Sequence, residues 1–191
     1  MAASPGPKAW QTSSLGLPAH PGEVPLHHSE DPTGRPFRGR FEKFRTGWLD
    51  LSDDAAAARY PFGFGLTYPR LRYDAPVLSS TRARGDDGKI ELRVTVTNEG
   101  DVDALETVQL YLSDPVARVT RPARRLIDFQ QIAVASRQAA TARFTVTLAQ
   151  LRYPLAPSLE DAQMVWDPGS FVLYVGPNSR DTTAAEIVWE R

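Results

Sequence analysis

The stretch IELRVTVTN, residues 90–98, decides the fold class because apolar and polar side chains alternate along it without interruption. Strict alternation with a period of two is typical of a β-strand that has one face in the core and the other in solvent. The turn residues NEGD at 98–101 then end this strand. Its apolar face comprises Ile90, Leu92, Val94 and Val96, and its opposite face comprises Glu91, Arg93, Thr95 and Thr97.

Similar patterns recur up to the end of the sequence. In ETVQLYLSD, residues 106–114, the alternation predicts that Val108, Leu110 and Leu112 point inward and that Thr107, Gln109 and Tyr111 point outward. The motif Asp86-Asp87-Gly88 is typical of a hairpin turn before a strand that starts at Lys89. Further strands are predicted at 124–134, 140–148, 164–166, 170–176 and 186–190, and a short helical turn is predicted at 149–153. About seven short strands with almost no helix predict an all-β sandwich of the fibronectin type III or immunoglobulin type over residues 76–191.

Composition excludes several classes of function. The chain has 191 residues, 22 Lys and Arg against 23 Asp and Glu, and a net charge of −1, so no basic field for nucleic acid is present. Cysteine is absent, which excludes disulfides and thiol chemistry. The sequence contains no apolar run of about 18 residues, so it predicts no membrane span. We therefore expect no nucleic-acid or membrane partner, and the lack of a Gly-Lys-Ser/Thr phosphate loop leads us to expect no cofactor.

The sequence before the sandwich has a different character. Residues 1–36 contain seven prolines and four glycines, so we expect this segment to be disordered or extended, with neither helix nor sheet. No apolar run follows Lys8, which argues against a secretory signal. Residues 59–73 read RYPFGFGLTYPRLRY, and their prolines, glycines and aromatics predict an ordered connection without regular structure.

Three kinds of candidate site are weak on their own. The adjacent carboxylates Asp53/Asp54, Asp86/Asp87 and Glu160/Asp161 are more typical of solvated loops than of a glycosidase pair. The group His27, His28, Glu30 and Asp31 lies in the proline-rich segment, so we expect no metal site there. Trp166 and Trp189 fall in strand patterns and are expected in the core. Trp48 is the remaining candidate for an exposed aromatic side chain that contacts a sugar.

Five stretches in this order resemble the C-terminal part of glycoside hydrolase family 3 enzymes, close to the periplasmic β-glucosidases. They are HSEDPTGRPF (28–37), RYPFGFGLTYPRLRY (59–73), VTVTNEGDVDALETVQLYLSDP (94–115), RPARRLIDF (121–129) and DPGSFVLYVGPNSRD (167–181), with the sandwich pattern that joins them. In that family a barrel supplies the aspartate nucleophile, a second domain usually supplies the glutamate acid/base, and a fibronectin type III-like domain comes last. The resemblance therefore implies no catalytic residue in this chain, which alone would be inactive.

The resemblance also implies how the chain is organised. Residues 37–75 would be a remnant of the second domain with its linker, and residues 76–191 would be the fibronectin type III-like domain. The linker would pack on the catalytic domains, and Trp48 would lie at the rim of the substrate site. The implied docking residues are Tyr60, Pro61, Phe62, Gly63, Phe64, Gly65, Leu66 and Tyr68. Without those domains, Phe62 and Phe64 would be at best partly buried, and we expect self-association through this segment.

Two alternatives remain open from the sequence. The chain corresponds either to a fragment of a longer enzyme, which we favour, or to a separate module that binds carbohydrate or mediates adhesion. A carbohydrate module would need a row of aromatics on one sheet face, for which only Tyr111 and Tyr174 occupy plausible outward positions. The default expectation for localisation is cytoplasmic, although intact enzymes of the family are often periplasmic or secreted.

Overall fold

Six strands of eight to ten residues form the framework of the molecule. A computed structural model describes residues 60–115, 117, 124–155 and 163–191, together with the backbone of residues 15–16 and 26–27. In chain order the elements are β1 (Leu15–Gly16), β2 (Leu26–His27), β3 (Leu71–Tyr73), β4 (Val77–Leu78), β5 (Arg82–Arg84), β6 (Lys89–Asn98), β7 (Ala104–Ser113), β8 (Arg125–Val134), β9 (Ala139–Thr147), α1 (Leu148–Leu151), β10 (Tyr153–Pro154), β11 (Met164–Val165), β12 (Gly169–Gly176) and β13 (Thr183–Glu190).

Two sheets face each other across the core. One sheet has the order β5-β13-β12-β7-β8, and the other places β6 between β9 on one side and the short strands β3 and β4 on the other. β3 lies upstream of residue 76, where the sequence predicted the sandwich to begin, and pairs with the end of β6. The all-β sandwich predicted from the sequence is confirmed.

The core follows the alternation of β6. Ile90, Leu92, Val94 and Val96 are all at most 1% exposed. Across the core they face the inward side chains of β7 and β12, which are Val108, Leu110, Leu112, Phe171, Leu173 and Val175. Trp189 is fully buried and Trp166 packs against the core at partial exposure, so both tryptophans predicted in the core lie there.

The hairpin predicted at Asp86-Asp87-Gly88 is wrong, although the turn is present. β5 pairs in parallel with β13, and β6 belongs to the other sheet, so this turn carries the chain between the two sheets. The indole of Trp189 explains the path. Its Nε1–H donates to the carbonyl oxygen of Gly85 at 3.0 Å, and a Cβ atom on Gly88 would lie 2.8 Å from its ring. The turn therefore wraps over a buried tryptophan.

The prediction that no sheet forms within residues 1–36 is wrong at four residues. β1 and β2 pair as a two-stranded antiparallel ribbon, with Leu15 opposite His27 and Gly16 opposite Leu26. The prolines at 18, 21 and 25 lie outside the paired dipeptides, so they remove no donor from this ladder. Among the residues that the structure describes, no helix is long and apolar enough to cross a membrane.

The outward orientation predicted for Gln109 and Tyr111 does not leave them exposed. Gln109 is 5% exposed and Tyr111 is fully buried, although both lie on the face of β7 that points away from the core. A second layer therefore covers this part of the sheet, and the segment before β3 supplies it.

Candidate functional site

Residues 60–68, here called the strap, run across the outer face of the five-stranded sheet without forming a helix. A turn at residues 62–63 reverses the chain locally, and the Phe64 N–H donates to the carbonyl oxygen of Pro61 at 3.0 Å. Gly63 adopts a φ of 76°, a conformation that glycine reaches without a Cβ penalty. The ordered connection without regular structure that the sequence predicted for residues 59–73 is found at residues 61–70. The prediction is wrong at Leu71–Tyr73, which form β3 and pair with β6.

Hydrogen bonds fix the strap to β7 and to the loop after β12. The Ser179 N–H donates to the carbonyl oxygen of Phe62 at 2.9 Å. The Nε2 amide of Gln109 donates to the carbonyl oxygens of Gly63 at 3.0 Å and Pro177 at 2.6 Å. One buried side chain therefore joins the strap, the sheet and the loop.

An aromatic contact and a further hydrogen bond accompany these bonds. The ring of Phe62 meets the ring of Tyr111 edge to face, with centroids 6.5 Å apart. The hydroxyl of Tyr111 donates to Oε1 of Gln109, and burial raises the pKa of this tyrosine although the charge of Arg124 acts in the opposite direction. Phe62 is half-buried and serves as the apolar anchor of the strap.

Beyond this anchor the strap presents apolar side chains to solvent. Leu66 is 92% exposed and Tyr68 is fully exposed. The rings of Tyr60 and Phe64 contact each other at a tilt of 46°, with centroids 5.0 Å apart, and each residue is 41% exposed. This concentration of exposed apolar groups on a fixed backbone is typical of an interaction surface.

A groove of about 580 Å³ lies between the strap and the first residues of β7. Phe64, Leu66, Leu71 and Leu105 form its apolar part. Its polar part includes two carboxylates, and the described residues that line it include no Lys, Arg or His. The polar residues are Thr67, Tyr73, Glu106, Thr107, Gln109, Asn178 and Asp181.

β7 continues beyond its pairing with β12 beside this groove. The last pair between β7 and β12 joins Gln109 to Gly176, so β7 extends from Ala104 to Val108 without a partner in β12. The loop after β12 turns away there and is held by Asn178. Its Oδ1 accepts the N–H groups of Arg180 and Asp181 at 2.9 and 2.8 Å, and its Nδ2 donates to the Asp181 carboxylate at 2.9 Å.

Glu106 is the most buried carboxylate of the groove. The residue is 8% exposed, and the hydroxyl of Tyr73 on the facing sheet donates to its Oε1 at 2.6 Å. Burial raises the pKa of Glu106, and the hydrogen bond from Tyr73 partly offsets this effect. Sequence reasoning missed Glu106, although a signal was present: it shares the inward face of β7 with Val108 and Leu110, where a charged residue is unusual.

The other candidate residues do not assemble into a site. The aromatic row required by a carbohydrate module is not formed by its two candidates, because Tyr111 is buried and Tyr174 is half-buried under the guanidinium of Arg124, 4.1 Å from its ring centroid. Trp48 and the side chains of the histidine group at 27–31 lie outside the described residues. Within the described part of the chain, no three His, Asp or Glu side chains are grouped in a way that could hold a metal ion.

Comparison with known proteins identifies the sandwich. Residues 106–179 match the family described as "Fibronectin type III-like domain". The sandwich is a fibronectin type III-like domain. The chain is also 30% identical over 165 residues to the periplasmic β-glucosidase of Salmonella typhimurium, and the aligned region covers 86% of this chain and 21% of that protein. It is 36% identical over 126 residues to a β-glucosidase of Rhizobium radiobacter, which covers 66% of this chain and 15% of that protein.

Solved structures give the same result. A β-glucosidase from Erythrobacter marinus superimposes with a TM-score of 0.74 at 26% identity, covering 91% of this chain and 21% of that one. The resemblance to the C-terminal part of glycoside hydrolase family 3 enzymes is thus confirmed. The chain spans about a fifth of the length of the relatives it matches most extensively, and its fibronectin type III-like domain is a part shared with these larger enzymes.

Proposed function

We propose that this chain is a non-catalytic accessory part of a β-glucosidase-like glycoside hydrolase and that it docks on the catalytic domains through the strap. Its likeness to a fifth of several β-glucosidases supports an accessory role. The observation that carries the proposal is the exposure of Leu66 and Tyr68 on a strap whose Phe62 and Gly63 carbonyl oxygens accept hydrogen bonds from Ser179 and Gln109. An ordered apolar surface of this kind is suited to covering by a protein partner.

The groove carboxylates support a non-catalytic role. Retaining glycosidases need two carboxyl groups about 5–5.5 Å apart that are free to act on the glycosidic bond. In the described part of the chain, Glu106 accepts a hydrogen bond from Tyr73, and Asp181 accepts one from the amide of Asn178 that shapes its loop. Both carboxylates thus have structural partners.

A binding experiment tests the docking. The full chain is titrated into the catalytic part of the Salmonella typhimurium β-glucosidase, prepared without the region that this chain matches. We expect binding that the double variant Leu66→Ser/Tyr68→Ser weakens at least about tenfold, since exposed apolar anchors dominate such interfaces. The matched control is Val77→Ser/Met164→Ser, which removes two exposed apolar side chains that do not line the groove and should leave affinity unchanged.

Activity provides the second test. The chain alone should not hydrolyse an aryl β-glucoside, and Glu106→Gln should not change its background rate. Turnover that survives purification and is lost in Glu106→Gln would contradict the non-catalytic role. Binding of cellobiose to the free chain, with no binding to the catalytic part, would instead favour the carbohydrate module.

A further inference from the structure

We propose that Glu106 forms an ion pair with an Arg or Lys side chain of the catalytic domains. This ion pair would add specificity to the apolar docking of the strap. This inference rests on the proposed function, because it names what the partner of the strap must present. The groove that contains Glu106 opens directly beside the exposed residues of the strap, and Phe64 and Leu66 line both. A partner that covers the strap therefore also covers the groove.

The charge of the groove is the first argument. Its described lining has two carboxylates and no cationic side chain. A protein surface that closes over this groove removes water from Glu106, and an uncompensated buried carboxylate is costly. A cation from the partner removes this cost, whereas a neutral or acidic partner does not. The groove is therefore complementary to a basic side chain.

The hydrogen bonding of Glu106 is the second argument. Tyr73 donates to Oε1, and Oε2 makes no hydrogen bond or ion pair with any residue that the structure describes. The side chain is more than nine-tenths buried and lines the groove, so its free oxygen is held in place before any partner arrives. A guanidinium or ammonium group that enters the groove would find a fixed acceptor there, which lowers the entropic cost of binding.

The walls of the groove favour a long aliphatic stem behind that charge. Leu66, Leu71 and Leu105 line the path to Glu106, and Leu105 is 66% exposed. Arg and Lys bury their methylene stems against apolar surface while the charged end finds an acceptor. A sugar would leave these leucines against hydroxyl groups, so the apolar walls argue for a protein side chain.

Three variants of the full chain test the proposal against the same catalytic part. Glu106→Gln removes the charge but keeps an oxygen for Tyr73, and we expect it to weaken binding at least about tenfold through a faster dissociation rate, as for a buried pair. Tyr73→Phe removes only the internal hydrogen bond and keeps the charge, so it should weaken binding less than Glu106→Gln does. Glu91→Gln removes an exposed carboxylate on β6 and should change neither rate. Thermal melts verify that each variant is folded.

The outcomes separate this inference from the proposed function. If binding of the wild type depends on Leu66 and Tyr68 but not on Glu106, the proposed ion pair is wrong and the proposed docking through the strap stands. Equal losses in Glu106→Gln and Tyr73→Phe show that the internal link matters and the charge does not, which also overturns it. If Glu106→Gln leaves the affinity unchanged but reduces self-association, or destabilises the free chain at neutral pH, a second copy or another part of this chain supplies the cation, and the proposal is overturned. Failure of the wild type to bind overturns both proposals.

Discussion

The side-chain amide of Gln109 donates a hydrogen bond to the carbonyl oxygen of Gly63 at 3.0 Å, across 46 residues of sequence. The same amide also reaches Pro177, so the attachment of the strap converges on one residue of β7. We expect Gln109→Ala to cost about 1–3 kcal/mol, because it removes the amide that donates to two partly buried backbone carbonyl oxygens. Amide hydrogen exchange should accelerate at Ser179, whose N–H donates a hydrogen bond to the carbonyl oxygen of Phe62. Gln131→Ala, at an exposed position of β8, is the control and should leave that exchange rate unchanged.

Two glycines of the strap should respond differently to the same substitution. Gly63→Ala forces a positive φ on alanine and puts its Cβ 2.0 Å from Oε1 of Gln109. We expect a loss of about 1–3 kcal/mol in the free energy of unfolding, measured by denaturant titration. Gly65→Ala meets no heavy atom within 4 Å and should be nearly neutral. Equal effects at both positions would show that the turn does not limit stability.

The register of β6 predicts a contrast between neighbours. Val94 is 1% exposed in the core, whereas Thr95 points to the other face and pairs with Thr141. Val94→Asp should unfold the domain, since an unpaired buried carboxylate costs several kcal/mol against a typical stability of about 5–15 kcal/mol. Thr95→Asp should keep a cooperative melt. Similar melting curves for the two variants would contradict the register.

Glu106 gives the free chain a defined pH dependence. Burial raises the pKa of this carboxyl in the folded state, so the folded chain binds its proton more tightly than the unfolded chain does. The contribution of Glu106 to stability therefore falls as pH rises from about 4.3, the ordinary glutamate value, through the raised pKa. Glu106→Gln removes this contribution. The stability of the variant relative to the wild type should increase over that window in denaturant titrations and then level off.

Self-association of the free chain should depend on the exposed half of the strap. Leu66→Ser/Tyr68→Ser should reduce association in sedimentation velocity and leave the melting temperature nearly unchanged, because neither side chain is buried. Phe62→Ser should behave in the opposite way and lower the melting temperature, because Phe62 packs on Tyr111. A monomeric wild-type chain at high concentration would contradict the prediction.

The alternation of β6 was enough to predict which of its side chains are buried, because one face of this strand lies directly on the core. The same reasoning failed at Gln109 and Tyr111, whose cover comes from a strap 46 to 49 residues earlier in the chain. Periodicity in a strand reports which face a residue occupies and carries no information about a second layer on that face. Glu106 escaped notice for a related reason, since its partner Tyr73 lies in a three-residue strand with no pattern of its own.

The parallel pairing of β5 with β13 has a consequence for biosynthesis. Val188, Trp189 and Glu190 pair with Arg82, Ala83 and Arg84. This edge of the sheet joins residues more than 100 positions apart, and such distant contacts form late because a long loop must close first. On the ribosome, Trp189 is therefore missing from the core until nearly the whole domain has been translated. Nascent chains that stop short of residue 189 should remain open and bind chaperones.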